Sequence, residues 1–183
     1  MFNYAREMTF QAIMNSREND MIIRKYRTAD RDRLLEITAV CFEGVSIDYN
    51  IEELYGPVAG MNWTSRKKKH IEEDIAANEE GIFVAEEGGE AVGYITTRVN
   101  AHTRIGWIPN LSVLPDFQKR GIGRMLLDAA VDYLRRRGML YARIETLEQN
   151  RTGSHFYPKY GFREIARQIH YIIPLESDSN SRE

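Results

Sequence analysis

The sequence predicts a mixed α/β domain in which a central sheet is flanked by about four helices. Helical and strand-like segments alternate along the chain instead of falling into separate halves. The second half carries a strand–helix–strand unit, with strands at 105–113 and 141–147 around a strongly amphipathic helix at 121–137. Because such a unit crosses over right-handedly, we expect these two strands to be parallel neighbours.

The first half is predicted from capping residues and hydrophobic spacing. Met21–Tyr26 has the pattern of a short strand, and Thr28 or Asp30 can cap a helix that runs to about Phe42. Residues 43–64 contain Gly44, Gly56, Pro57 and Gly60, so they are predicted to be irregular and to form a lid or substrate loop. Ser65 can cap a second helix that ends near Asn78.

The remaining elements complete the predicted sheet. Strands at 82–86 and 91–99 are joined by Gly88-Gly89, a hairpin signal, and Thr152–Tyr160 is a short helix. Phe162–Pro174 is predicted to be a closing strand or strand pair. We expect residues 1–20 to be an N-terminal extension, 21–175 a single domain and 176–183 a disordered polar tail.

Composition narrows the classes of function. The chain has 25 Lys and Arg against 27 Asp and Glu, a net charge of -2, which gives no general attraction to nucleic acid or an anionic membrane. The single cysteine, Cys41, excludes an internal disulfide, and the four histidines lack metal-ligand spacing, so no metal is expected. Without a visible signal peptide or membrane span, the expected location is the cytoplasm.

One basic run invites a nucleic-acid interpretation. Arg66-Lys67-Lys68-Lys69-His70 is followed by Glu72, Glu73 and Asp74 on the same predicted helix. Lysines and glutamates four residues apart pair on a helix surface, so this run is predicted to be a solvated face. Nucleic acid is therefore not an expected partner.

A glycine-rich turn between strand and helix is the first candidate for binding chemistry. Gln118-Lys119-Arg120-Gly121-Ile122-Gly123 leads into the helix, and Arg124 follows it. Glycines let the backbone approach a phosphate, and a helix start offers free N–H groups and a positive dipole end. This turn is predicted to cradle a pyrophosphate. A dinucleotide fingerprint fits poorly because Leu126 occupies the place of its third glycine.

A second motif, Asn150 to Phe162, lies one helix and one strand downstream. Gln118 to Gly123 and Asn150 to Phe162, in this order, resemble the two signatures of the GNAT superfamily of acyl-CoA-dependent N-acetyltransferases. The second differs from the usual pattern at Gly153, where alanine is common. The resemblance implies a sheet of six or seven strands that is splayed open between the strands at 105–113 and 141–147. Pro109 supports a bulge there independently, since proline cannot donate to a strand ladder.

The resemblance also implies a site for acetyl-CoA, with CoA as the product and no metal. The implied cofactor-binding residues are Leu111, Ser112, Val113, Gln118, Lys119, Arg120, Gly121, Ile122, Gly123, Arg124, Asn150, Gly153, Phe156, Tyr157 and Lys159. Backbone groups of the first three would hold the pantetheine arm and stabilise an oxyanion.

For catalysis, the resemblance implies Tyr157 as the general acid that protonates the leaving thiolate. Glu145 is a candidate base that would act directly or through water, and the alternative is a solvated or cross-strand-paired charge. Glu43, Asp48, His102 and Glu148 are weaker candidates. Many family members carry a glutamate in the stretch that here reads Trp107-Ile108-Pro109-Asn110, so Asn110 is predicted to order a water in its place.

The predicted function is acetyl transfer to a primary amine of a small molecule or peptide by direct attack in a ternary complex. The alternative is a catalytically silent CoA-binding regulatory domain. The sequence identifies neither the acceptor amine nor whether the protein forms a homodimer.

Overall fold

The computed structural model describes residues 21–175, so the predicted extension at 1–20 and tail at 176–183 lie outside the described residues. The strands are β1 Ile22–Lys25, β2 Phe83–Glu87, β3 Glu90–Ile95, β4 Ile105–Ile108, β5 Leu111–Val113 and β6 Tyr141–Ile144. The helices are α1 Arg31–Cys41, α2 Ile47–Tyr55, α3 Trp63–Asn78, α4 Ile122–Arg136 and α5 Arg151–Tyr160. The mixed α/β architecture predicted from the sequence is confirmed.

The strands form two sheets whose pairing positions the site. β1, β2, β3 and β5 make an antiparallel sheet in that order, and β4 pairs with β6 in parallel. The parallel register runs from Ile105 opposite Tyr141 to Ile108 opposite Ile144, as the predicted crossover requires. Two sheets therefore diverge at the junction of β4 and β5.

A one-residue bulge at Pro109-Asn110 creates this divergence. Ile108 and Leu111 both pack against the cluster under α4, although two residues separate them. Adjacent strand residues alternate between faces, so residues three apart share a face only if one extra residue is inserted. The bulge thus lets a single stretch of chain pair with β6 before Pro109 and with β3 after it.

Two apolar clusters cover the faces of the sheets. α4 packs its stripe of Leu126, Leu127, Ala130 and Leu134 against one face, and all four are buried. On the other face, Leu34 and Ile37 of α1 meet Ile71 of α3. Burying a leucine side chain stabilises the fold by about 1.5–3 kcal/mol, so these stripes hold α4 firmly on the sheet.

The predicted irregular loop at 43–64 contains a helix, and this prediction was wrong. α2 begins after Ser46, whose side chain accepts a hydrogen bond from the Tyr49 N–H at 3.2 Å. The cap of α3 is Asn62, not the predicted Ser65, whose N–H donates to Asn62 Oδ1 at 2.9 Å. Glycines near both ends obscured a nine-residue helix that has its own cap.

The predicted closing strand at 162–174 is not formed, since the structure has no strand in this segment. Ile165 and Tyr171 are 91% and 89% exposed. β-branched residues favour a strand only where a partner and an apolar surface are available. Within residues 21–175 the segment pairs with no strand, and most of its apolar side chains are exposed, so both conditions are missing.

Candidate active site

Within residues 21–175, β5 pairs only with β3, so the edge of β5 that faces away from β3 carries no strand. Thr96 N–H donates to the carbonyl of Asn110, and Leu114 N–H donates to that of Val92, both at 2.9 Å. Hydrogen bonding alternates along antiparallel strands, so Leu111 and Val113 point their N–H and C=O groups away from β3, whereas Ser112 faces it. β6 last pairs at Ile144. An extended ligand can therefore pair with this edge as an added strand.

Part of this edge is already bonded within the chain. The Val113 carbonyl accepts from Gln118 Nε2 at 2.9 Å, and Cys41 Sγ lies 3.4 Å from the same oxygen. Burial raises the pKa of the Cys41 thiol to about 11, which keeps it neutral. The groups left for a ligand are therefore the N–H and C=O of Leu111 and the N–H of Val113.

The turn that follows β5 has the backbone shape of an anion site. Lys119 and Gly121 have φ angles of 61° and 84°. A Cβ atom on Gly121 would meet no heavy atom within 4 Å, so its left-handed conformation and not crowding demands glycine there. α4 starts at Ile122, and the N–H groups of Ile122 and Gly123 precede the first intrahelical donor, Arg124. They lie at the positive end of the helix dipole, where a phosphate fits.

The three cations of the turn differ in their surroundings. Arg120 donates to both carboxylate oxygens of Glu87 at 2.5 and 3.0 Å. Arg124 stacks on Tyr160, 5.5 Å from the ring centroid. Neither Lys119 nor Arg124 pairs with a carboxylate within residues 21–175, so their charges face solvent or a ligand.

Gly123 has a second purpose in this structure. A Cβ atom built on it would lie 3.3 Å from Phe156 Cζ. Phe156 belongs to α5, so the absence of a side chain at 123 lets α5 pack closely on the first turn of α4. The two sequence motifs thus meet in space through this contact.

Asn150, Gly153 and Tyr157 form the second half of the site. Asn150 Oδ1 caps α5 by accepting from the Gly153 N–H at 3.0 Å. A Cβ atom on Gly153 would stand 2.7 Å from Thr146 Oγ1 and 3.1 Å from Tyr157 Cε2. The end of β6 and the Tyr157 ring therefore close on the same glycine, which explains why the alanine usual in the resembling pattern is missing. Lys159 lies exposed in the last turn of α5.

Tyr157 sits in an aromatic cluster, with ring centroids 5.6 Å from Phe156 and 6.0 Å from Phe162. Burial raises the pKa of its phenol to about 12. The hydroxyl consequently keeps its proton throughout the physiological pH range.

Glu145 lies beyond the last pair of β6, on the face opposite Tyr157. Its carboxylate is 3.2 Å from Arg143 Nη1, and Arg143 stacks on Trp107 at 5.0 Å from the ring. Ile144 and Thr146 turn to the α4 and α5 side. By the alternation of residues along an extended segment, Glu145 lies on the side of the sheet away from α4 and α5, whereas Tyr157 belongs to α5. Asp48 is buried beside Arg66, and Glu148 is 3.1 Å from Arg167, so both of these weaker candidates are ion-paired.

The prediction of a solvated basic face is wrong for Arg66 and Lys67. Lys67 is 9% exposed, and its Nζ donates to Asn110 Oδ1 at 2.7 Å. The amide of Asn110 donates in turn to Asp74 Oδ2 at 2.7 Å. Both ends of this amide are bonded within the protein, which argues against the predicted role of Asn110 in ordering a water. The helical spacing of Lys67, Ile71 and Asp74, all on the buried face of α3, was the overlooked signal.

From Met21 to Leu175, no group of three or more His, Cys, Asp or Glu side chains could hold a metal ion. None of the helices in this range is long and apolar enough to cross a membrane.

Comparisons with known proteins find N-acetyltransferases among the relatives of this chain. An uncharacterized N-acetyltransferase of Methanocaldococcus jannaschii is 32% identical over 98 residues, 48% of this chain and 41% of that protein. The ribosomal protein bS18-alanine N-acetyltransferase of Salmonella typhimurium is 39% identical over 62 residues, 34% of this chain and 42% of that enzyme. The matched region spans less than half the length of either relative.

Solved structures share the fold. The PaiA N-acetyltransferase of Thermoplasma acidophilum, in complex with coenzyme A, superposes with a TM-score of 0.63 at 23% identity, covering 79% of this chain and 90% of that one. The model of the Acetyltransferase (GNAT) family matches residues 48–162, which include the open edge, the glycine turn and the α5 motif. The match covers more than half of the chain, and we conclude that this protein belongs to the GNAT acetyltransferase family.

Proposed function

We propose that this protein transfers an acetyl group from acetyl-CoA to a primary amine by direct attack in a ternary complex. The observation that carries the proposal is the divergence of β5 from β6 after Ile108 and Ile144, with a glycine turn and a helix start at the end of the open edge. The coenzyme A in the Thermoplasma acidophilum complex supports the same ligand here.

The residues of the chain fit this ligand. The N–H groups of Ile122 and Gly123, with Lys119, Arg120 and Arg124, would bind the pyrophosphate. The Leu111 C=O and the Val113 N–H would pair with the pantetheine arm, and Asn150 would approach it through its amide nitrogen. When bound, acetyl-CoA supplies an activated acyl carbonyl and a thiolate leaving group.

Three groups beside the opening would carry the catalytic roles. The Leu111 N–H would donate to the oxyanion that develops on the carbonyl. Tyr157 would give its phenol proton to the departing sulfur, and Glu145, directly or through water, would accept a proton from the amine. The C–N bond forms first, giving a tetrahedral oxyanion, and its collapse breaks the C–S bond. The proton that Glu145 accepts from a neutral amine would return through water to the Tyr157 phenolate, so the products are an amide and the free thiol. An amine that enters as ammonium releases one additional proton.

A panel assay tests the proposal. Calorimetry first measures acetyl-CoA binding, and thiol release is then followed with spermidine, an aminoglycoside, lysine and a peptide with a free N-terminal alanine. We expect binding and thiol release with at least one amine class. Binding without release from any amine would favour the regulatory alternative, and no binding would remove the proposed site altogether.

A further inference from the structure

Lys67 is a buried cation with an unusual environment. Its Nζ lies 2.7 Å from Asn110 Oδ1 and 4.1 Å from the centroid of the Phe42 ring. Burying a charge is costly unless it is paired and hydrogen-bonded. A lysine in such a position therefore lowers the stability of the fold, which indicates that it has another role in the molecule.

Asn110 is held in one orientation by this contact. Lys67 can only donate hydrogen bonds, and an ionised Asp74 can only accept them. The oxygen of the Asn110 amide must therefore face Lys67, and its nitrogen must face Asp74, which is 1% exposed. Asp74 also accepts from Thr96 Oγ1 at 2.6 Å and from Arg98 Nε at 2.7 Å, so the network is anchored in α3 and the strands.

The anchored side chain and the backbone carbonyl of Asn110 together hold this residue, and one peptide bond connects it to the open edge. The Asn110 carbonyl accepts from the Thr96 N–H at 2.9 Å, so it points toward β3. The carbonyl and the following N–H of a trans peptide point in opposite directions. The Leu111 N–H is thereby directed into the opening between β5 and β6.

We propose that Lys67 is a positioning residue that, through Asn110 and Asp74, aligns the Leu111 N–H with the acyl carbonyl of the bound donor. This inference rests on the proposed acetyl transfer. It assigns a role to a lysine that neither of the two sequence motifs contains.

The electrostatic surroundings support the assignment. Asp48 of α2 and Asp74 of α3 attract the ammonium, while Arg66 and His70 of α3 lie beside Asp48, and Arg98 binds Asp74. Burial nevertheless outweighs the two carboxylates and lowers the pKa of Lys67 to about 8. The charge-assisted bond to Asn110 should therefore weaken at mildly alkaline pH.

The test compares Lys67→Met with a matched control, Lys69→Met. Lys69 lies on the same helix with a side chain that is 66% exposed. Amide hydrogen exchange in the ligand-free protein measures how well the Thr96 N–H is protected by its bond to the Asn110 carbonyl. We expect exchange at Thr96 to be at least about tenfold faster in Lys67→Met and unchanged in Lys69→Met, with α4 amides unaffected in both.

Kinetics provide the second readout, using thiol release from acetyl-CoA with the best amine of the panel. Lys67→Met should lower kcat by about 10–100-fold with an unchanged Kd for acetyl-CoA. The ratio of wild-type to Lys67→Met kcat should fall as the pH passes about 8, where Lys67 loses its proton. Lys67→Arg keeps its charge, so the ratio of Lys67→Arg to Lys67→Met kcat should stay constant through pH 8. If Lys67→Met does not fold, the ratio of wild-type to Lys67→Arg kcat decides the question, because it should fall above pH 8 only if the charge of Lys67 matters.

The outcomes separate this inference from the proposed function. A wild-type protein that transfers acetyl groups, beside a Lys67→Met variant with wild-type kcat and wild-type Thr96 exchange, would overturn only the role of Lys67. A pH-independent loss of kcat in Lys67→Met would show a merely structural role. A wild-type protein that binds no acetyl-CoA would overturn both proposals.

Discussion

The hydroxyl of Tyr157 is the single atom on which the proposed proton transfer to sulfur depends. We predict that Tyr157→Phe lowers kcat for thiol release about 100-fold and leaves the Kd for acetyl-CoA unchanged. Because burial raises the pKa of the phenol to about 12, the ratio of the wild-type rate to the Tyr157→Phe rate should not fall at any pH below 10, since a fall caused by Lys67 is common to both proteins. Rates measured between pH 6 and 10 check both points.

Tyr160→Phe is the matched control for this substitution. Its hydroxyl donates to Asp128 at 2.8 Å, and its phenol pKa is also raised to about 12, by burial first and by Asp128 second. It lies on the same helix, so a general effect of losing a phenol from α5 would appear in both variants. Unchanged thiol release in Tyr157→Phe at every pH would exclude Tyr157 as the acid.

The lowered pKa of Lys67 predicts that rising pH increases the stability of the protein, whereas it decreases the rate. Its pKa is lowered from 10.5 to about 8 in the folded protein, so the unfolded chain binds more protons between these values. Stability should therefore rise with pH in that window, by about 1.5 kcal/mol from pH 8 to 9.5 relative to Lys67→Met. Urea unfolding at several pH values measures this difference, and parallel curves for the two proteins would contradict it.

At the scale of elements, substitutions in the turn into α4 can distinguish an effect on protein stability from an effect on ligand binding. Gly121 and Gly89 have φ angles of 84° and 82°, and neither would place a Cβ atom within 4 Å of another heavy atom. Replacing either by alanine should cost about 1–2 kcal/mol of stability, since both force a side chain into the left-handed region. Only Gly121→Ala should also weaken acetyl-CoA binding, as measured by calorimetry. Equal affinities in the two variants would remove the turn from the site.

The sequence predicted most elements because their signals are local. The stripe on α4 and the strands at 83–95 carry their own periodicity, and Pro109 marked the bulge through its missing donor. α2 escaped prediction because glycines on both sides outweighed the cap at Ser46. The closing strand failed for the opposite reason, since β-branched residues cannot supply their own partner.

The candidate site was predictable only where it is written in motifs. The turn at 118–123 and the segment from Asn150 to Tyr157 have fixed spacing, which a sequence displays directly. The contact of Lys67 with Asn110 joins residues 43 positions apart, so no local sequence pattern predicts that these two side chains meet. A lysine inside a basic run reads as solvated until its neighbours in space are known.

For the whole molecule, ligand binding and folding are linked. A ligand that binds only the folded state at 100 times its Kd adds about 2.7 kcal/mol to the free energy of unfolding. For a chain of 183 residues we therefore predict that acetyl-CoA at this excess raises Tm by about 5–10 °C. Thermal denaturation with and without acetyl-CoA measures the shift, and an unmoved Tm would contradict the proposed site.

The extra residue at Pro109-Asn110 has a consequence for how this protein can vary. Removing one residue there would move every following side chain up to Val113 to the opposite face of the sheet. Ser112 would then lie under α4, and Leu111 would lie against α1. Substitutions at Pro109 leave that count intact, whereas a deletion closes the cleft by bringing β5 into line with β6. The cleft is thus encoded in the length of the chain at this point, and an indel, more than any exchange of side chains, would abolish it.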